Sequence, residues 1–192
     1  MKNFTSLVLA IATVYTLNAQ TTWSLDKAHT SVGFVTTHMT ISEVKGEFQE
    51  FDGTVLSNGE DFAGSTVEFT AQVGSITTNN DRRDGHLKSD DFFNAEMYPE
   101  LKFSGNIIKE GDDHFLVGDL TIRDVTKPIK FDVKYGGQVP GRNGQKAGFK
   151  VTGTIDRFEY GLKWNAAMEA GGLMVGKDVE IVCRIELNEQ AS

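Results

Sequence analysis

The sequence predicts an all-β protein, a closed up-and-down antiparallel barrel of about eight strands with one or two short helices. Three observations predict it. Apolar and polar residues alternate with period two along most of the chain. Pairs that tolerate positive φ, such as Asn58-Gly59 and Asn143-Gly144, separate the alternating runs. Only two short stretches break the pattern, and consecutive long antiparallel strands favour a barrel over a sandwich. Thirteen Phe, twenty Gly and only three Pro in 192 residues suit a sheet with many tight turns.

The first nineteen residues precede the barrel. Met1-Lys2-Asn3 is a short basic start, Leu7 to Leu17 is apolar on all sides, and Leu17-Asn18-Ala19 ends in a small residue. This is the layout of a secretory signal peptide, and the run is too short for a comfortable membrane-spanning helix. No cysteine follows it to carry a lipid anchor. The expectation is an exported soluble protein, periplasmic or secreted, whose single domain spans 20–192. Losing Lys2 with the leader moves the formal net charge from −8 to −9. A chain this acidic has no footprint for nucleic acid and is repelled by anionic lipid surfaces.

The strands follow in order, near 22–27, 31–39, 44–56 and 64–77, then 100–109, 114–123, 128–136, 146–158 and 175–188. Val32, Phe34 and His38 share one face of the second run. Val67, Phe69, Ala71 and Val73 alternate with Glu68, Thr70 and Gln72 in the fourth. Phe115 and Val117 lead through Gly118 to Leu120 and Ile122, and Ile129, Phe131 and Val133 repeat the pattern. Phe149, Val151 and Ile155 do so again, and Val179 to Leu187 is the cleanest example. Gly111-Asp112-Asp113 and Gly136-Gly137 read as further breaks. Asn79-Asn80-Asp81 offers caps for a short helix through Arg82 to Lys88, with Asp84 four residues before Lys88. Asn165 to Glu169 is the second segment that resists strand assignment. Cys183, the only cysteine, has the parity of Val179, Ile181, Ile185 and Leu187, so it reads as a buried, inert thiol.

An eight-stranded barrel is just wide enough to be filled by side chains or to hold one slender ligand. Strands of ten or more residues, at about 3.3 Å each, make a tube roughly 30 Å deep. Alternation alone leaves open whether that tube is filled or hollow.

Several motifs, in order, resemble the YceI family, exported lipocalin-like proteins associated with polyisoprenoid binding. They begin with Trp23-Ser24-Leu25-Asp26-Lys27-Ala28-His29-Thr30, then Val32, Phe34 and His38, then Gly46-Glu47-Phe48 with Phe51-Asp52-Gly53. The most specific block is Ile76-Thr77-Thr78, Arg83-Asp84-Gly85-His86-Leu87-Lys88-Ser89, Asp91-Phe92-Phe93, Tyr98-Pro99 and Phe103. Gly118 to Ile122, Val125-Thr126-Lys127-Pro128, Asp156-Arg157 and Tyr160-Gly161-Leu162 complete it. One departure is Asp124, where the pattern expects Gly, which bears on that turn's geometry. The resemblance covers essentially the whole chain after residue 19. It implies an eight-stranded barrel around a long apolar channel, with a bound isoprenoid, quinone-like or related lipid and no catalysis required.

The pocket residues expected on these grounds are Val32, Phe34, Val67, Phe69, Phe103, Phe149, Val151, Val179 and Ile181, with His38 and His86 as polar candidates. Phe92, with Phe93, reads either as a lid over the channel or as a plug packing the helix onto the barrel. The Arg82 to His86 cluster either holds a head group at the mouth or is a solvated helix whose charges pair among themselves. Trp164, Met168, Leu173 and Met174 either line an entrance or pack on the barrel end. The spacings of His29, His38, His86 and His114 match no compact metal pattern, and no nucleophile motif is present. The expected protein is a non-enzymatic carrier of a long-chain isoprenoid or similar amphiphile, with no cofactor and no nucleic-acid partner; its oligomeric state, homodimer included, is open. Two alternatives stand beside it, an enzyme acting on a small apolar substrate and a stress-related protein-binding module with a filled barrel.

Overall fold

The computed structural model describes residues 20–166 and 173–190. The expected leader at 1–19 and, of the segment from Asn165 to Glu169, residues 167–169, Met168 included, lie outside the described residues. Eleven strand segments and one helix follow in order: β1 Thr21–Leu25, β2 Ser31–His38, β3 Ser42–Phe48, β4 Phe51–Ser57, β5 Thr66–Gln72 and β6 Ile76–Thr77. The helix α1 is Asp81–Lys88; then come β7 Glu100–Glu110, β8 Asp113–Ile122, β9 Val125–Pro140, β10 Gln145–Asp156 and β11 Val175–Glu189.

The eleven segments make eight staves. Strand β1 pairs β4 while β2 pairs β3, and β4 pairs β5 while β3 pairs β6. So β1 with β2, β3 with β4, and β5 with β6 are each one strand with a bend. From β5 the order runs β7, β8, β9, β10, β11, each antiparallel to the last. Strand β11 closes the ring by pairing β2 with its first half and β1 with its last residues. The predicted barrel of eight strands is therefore the observed one. The runs predicted near 44–56 and 64–77 are bent at Gln49-Glu50 and at a 3-10 turn over Val73–Ser75. The Ser75 hydroxyl secures both bends, accepting from Glu50 N (2.9 Å) and donating to Gln72 O (2.7 Å).

Strand β9 runs four residues past its expected end. Gly136-Gly137 is a bulge rather than a break: Gly137 takes φ +102°, the register with β10 shifts at Gly148/Phe149, and the chain reverses only at 141–144. Asn58-Gly59 likewise opens an eight-residue connection instead of a two-residue turn. At 123–124 the left-handed residue is Arg123 (φ +57°), so Asp124 needs no glycine. A 3-10 turn at Arg157–Tyr160 follows β10, and of the segment Asn165 to Glu169 only Asn165 and Ala166 are described, neither of them in a strand.

Ions rivet the seam between the two ends of the chain. Lys146 Nζ lies 2.8 Å from Asp26 and 2.6 Å from Glu186, and His29 Nδ1 lies 3.1 Å from Asp26. The Lys146 ammonium, then His29, holds the Asp26 carboxyl far below the usual carboxylate range. A depressed folded-state pKa stabilises the fold above the unfolded value, near 3.9, and that contribution drains away as pH falls below it. Asp26→Asn is therefore expected to flatten the acid limb of stability below about pH 4. Urea midpoints across pH 2–7 measure this.

Candidate functional site

Inward parity builds the site. Every stave turns one face of Val, Ile, Leu and Phe inward, and these side chains wall an apolar cavity of about 220 Å³. One water centre needs about 10–15 Å³, so the space corresponds to roughly fifteen to twenty such positions. The barrel is hollow. Part of the hollow is made by glycine: Gly105 and Gly118 face each other across β7 and β8, and Phe103 lies over the pair. A Cβ on either would stand 2.7–2.9 Å from the Phe103 ring, which could then no longer lie against the wall.

An aromatic plug seals one end. Phe62 comes from the long loop between β4 and β5 and is fully buried, 5.0 Å from Trp23 and 4.9 Å from Phe149 between ring centres. Tyr135 stacks on Phe149 at 5.1 Å and donates its hydroxyl to Glu60 O (2.9 Å). The backbone of Phe62 is held at φ +59°, a conformation a bulky residue adopts only when its surroundings fix it.

Helix α1 covers the other end. Asn80 caps it by accepting from Arg83 N (3.0 Å). Asp84 does not pair with Lys88; it is buried and accepts from Thr78 N (2.8 Å), the Thr78 hydroxyl and the Thr77 hydroxyl (3.2 Å). Burial opposes its charge, but the Thr78 and Thr77 donors outweigh burial and hold its pKa below the ordinary value. Arg83 Nε donates to the Thr78 hydroxyl (2.7 Å) and Nη2 to its carbonyl (2.9 Å). The charged cluster thus fastens the cap to β6 instead of pairing within itself. Asp84→Ala leaves three donors without their acceptor and is expected to cost about 2–3 kcal/mol, read from urea unfolding. It should also quicken exchange of Leu87 and Phe93 amide protons.

Leu87, Phe92 and Phe93 point from this cap into the cavity. Phe92 is buried and also packs on Trp164 at 5.4 Å, so it closes the channel and anchors the cap at once. Of the residues expected from sequence, Val32, Phe34, Val67, Phe69, Phe92, Phe103, Phe149, Val151, Val179 and Ile181 all line the cavity. His38 and His86 do not. His38 has inward parity but stands one inward position beyond Thr36, the last lining residue of its own stave, although its cross-strand neighbour Val175 does line the cavity. His86 sits on the outer side of the cap: its Nε2 is 2.9 Å from Asp91, and its ring meets Phe92 and Trp164 edge-on at 5.1 and 4.7 Å. Leu173 is exposed, and Met174 N bonds Asn165 Oδ1 (3.0 Å) at the same end.

Two contributors escaped the sequence reading. Phe62 stands alone among polar loop residues with no periodicity to mark it. Arg157, buried at the end of β10, lines the cavity yet spends its donors on the rim. It donates Nε to Gly176 O (2.8 Å), Nη2 to Val175 O (3.1 Å), and Nη1 to Trp164 O (3.0 Å) and Leu162 O. Burial lowers its pKa against the opposing pull of Asp156. Cys183 faces the cavity with its thiol pushed up to about 11 by burial, which disfavours the thiolate. Asp26, His29 and Glu186 bring ligating atoms within 4.8 Å of one another, but the Lys146 ammonium already sits between the carboxylates.

The model of the YceI-like domain matches residues 23–187. A UPF0312 protein of Staphylococcus aureus is 41% identical over 172 residues, covering 88% of this chain and 98% of its own. Among solved structures, a Campylobacter jejuni YceI protein superposes with TM-score 0.69 at 31% identity, over 88% of this chain and 97% of that one. A polyisoprenoid-binding domain from Saccharophagus degradans shares the fold at TM-score 0.62 and 16% identity, over 88% and 98% of the two chains.

Proposed function

The chain belongs to the YceI-like family, and from that premise we propose that it is an exported, non-enzymatic carrier of a long-chain isoprenoid or related amphiphile. The observation that carries this reading is the cavity: hollow, closed at one end by Phe62 and capped at the other by α1, with walls of Val, Leu, Ile and Phe. Each buried methylene is worth about 0.8 kcal/mol, so several isoprene units can outweigh the cost of association without many polar contacts. The polyisoprenoid-binding neighbour from Saccharophagus degradans supports this ligand class. The basic start and apolar run of residues 1–17 support export, to the periplasm or the medium.

Native mass spectrometry of protein taken directly from its host tests the reading. The expected result is a chain beginning at Gln20 or Thr21 with an added discrete mass, released by solvent as a prenyl chain. Protein that carries no such mass, and takes up no prenyl lipid when offered it, overturns the proposal.

A further inference from the structure

The wall of the cavity is apolar, but the layer beneath it is not. On seven of the eight staves the last wall residue is followed, one inward position further down, by a polar side chain; Ser57, Lys109, Tyr135 and Glu189 are hydrogen-bonded there, and the other three are not. Trp23 follows Leu25 on β1, Ser65 follows Val67 at the head of β5, and His114 follows Leu116 on β8. Two residues along a strand is about 6.6 Å, so these groups lie one layer below the cavity. All three residues are more than nine-tenths buried, and among the described residues Trp23 Nε1, Ser65 Oγ and His114 Nε2 have no hydrogen-bond partner. Buried polar atoms are ordinarily satisfied, and three orphans in one layer need a hydrogen-bonding occupant.

Contacts tie the three to one spot. Trp23 packs on the Phe62 ring, Ser65 N bonds Phe62 O (3.1 Å), and His114 lies 6.1 Å from Tyr135, which itself packs on Phe62. The plug residue at positive φ therefore occupies the centre of a ring of unused hydrogen-bonding groups. An indole N–H only donates, a hydroxyl donates or accepts, and an imidazole nitrogen does either according to its tautomer. None of the three carries a fixed charge, Lys109 beside His114 is already paired with Asp61 (3.2 Å), and among the described residues the cation of the cavity wall, Arg157, stands at the opposite end.

We propose that this layer is the head-group site, and that it receives an uncharged oxygen, a hydroxyl or carbonyl, at the polar end of the amphiphile. The lipid then sits head-down, its head displacing the Phe62 ring and its tail running up the wall toward α1. This rests on the carrier reading and adds the orientation and charge class of the ligand.

The test compares a C15 prenyl alcohol with its parent hydrocarbon, binding to the chain from Gln20 by calorimetry and by the Trp23 indole N–H resonance. The wild type is expected to bind the alcohol about tenfold more tightly, and only the alcohol should move the Trp23 resonance. Ser65→Ala, and separately His114→Phe, should each lose about fivefold for the alcohol and nothing for the hydrocarbon. Equal affinity for both ligands, or variants that shift both alike, overturns the head-group site, leaves an internal water as its occupant, and leaves the carrier reading standing. Failure of the wild type to bind either ligand overturns both.

Discussion

Replacing Val151 by glutamate is expected to abolish lipid retention while the isosteric Val151→Thr keeps most of it. Val151 lies mid-wall on β10, in register with Val133 on one side and Cys183 on the other, both cavity residues. A carboxyl placed there meets hydrocarbon on every side. Burying an ion without a partner costs several kcal/mol, so the group is either neutral with a raised pKa or draws water into the tube. Either outcome removes the reason a prenyl chain enters. Retention measured by native mass spectrometry should fall at least a hundredfold at pH 7 and recover in part as the pH drops and the carboxyl protonates. Phe69→Glu, on the facing wall at β5, should behave alike. Near-ultraviolet circular dichroism of the empty proteins separates loss of ligand from loss of fold.

Replacing Arg157 by methionine is expected to be the most destabilising of the single changes considered. Its guanidinium holds four carbonyls, from Leu162, Trp164, Val175 and Gly176, and these belong to two separate stretches of chain. Methionine fills much of the volume and removes a desolvated cation, which is a gain. The loss is larger, because four carbonyl oxygens at a buried rim lose charge-assisted donors worth about 1.5–3 kcal/mol apiece before that gain is subtracted. A net cost of about 3–5 kcal/mol follows, or roughly 10 °C in Tm for a domain of this size. Arg157→Lys should recover less than half of it, since an ammonium cannot present the planar fork that reaches four acceptors. Urea midpoints with an unchanged m value are the measurement.

The wall was legible because parity is a geometric property of every strand. Once Phe149 and Ile155 are assigned inward, Val151 follows, whatever its chemistry. The two histidines were chosen for chemistry instead, and neither lines the cavity. His38 has the right parity but lies one position past Thr36, the last lining residue of its stave, and sequence carries no mark of that end. His86 is on a helix whose facing depends on Asp84 binding Thr77 and Thr78, a tertiary contact rather than a pattern. The bends at Gln49-Glu50 and Val73–Ser75 use no proline and, at the first, no glycine, so nothing local announces them. Gly136-Gly137 erred the opposite way, because a pair that permits a turn also permits a bulge. Phe62 is fixed by Trp23, Tyr135 and Phe149, all far away in sequence, and Arg157, though part of a motif, takes its place on the wall from carbonyls of two later stretches of chain that no pattern marks.

The stave that shuts the ring is the last to be made. Strand β11 bonds both β10 before it and β1 at the opposite terminus, with Leu25 against Leu187 across 162 positions. Without its final residues the sheet would have two raw margins and its greasy side uncovered. Joining such distant partners is slow, and the open intermediate is prone to aggregate. The molecule has no intermediate degree of completeness: a fragment shortened before Val175 should fail to fold at all rather than fold into a smaller barrel.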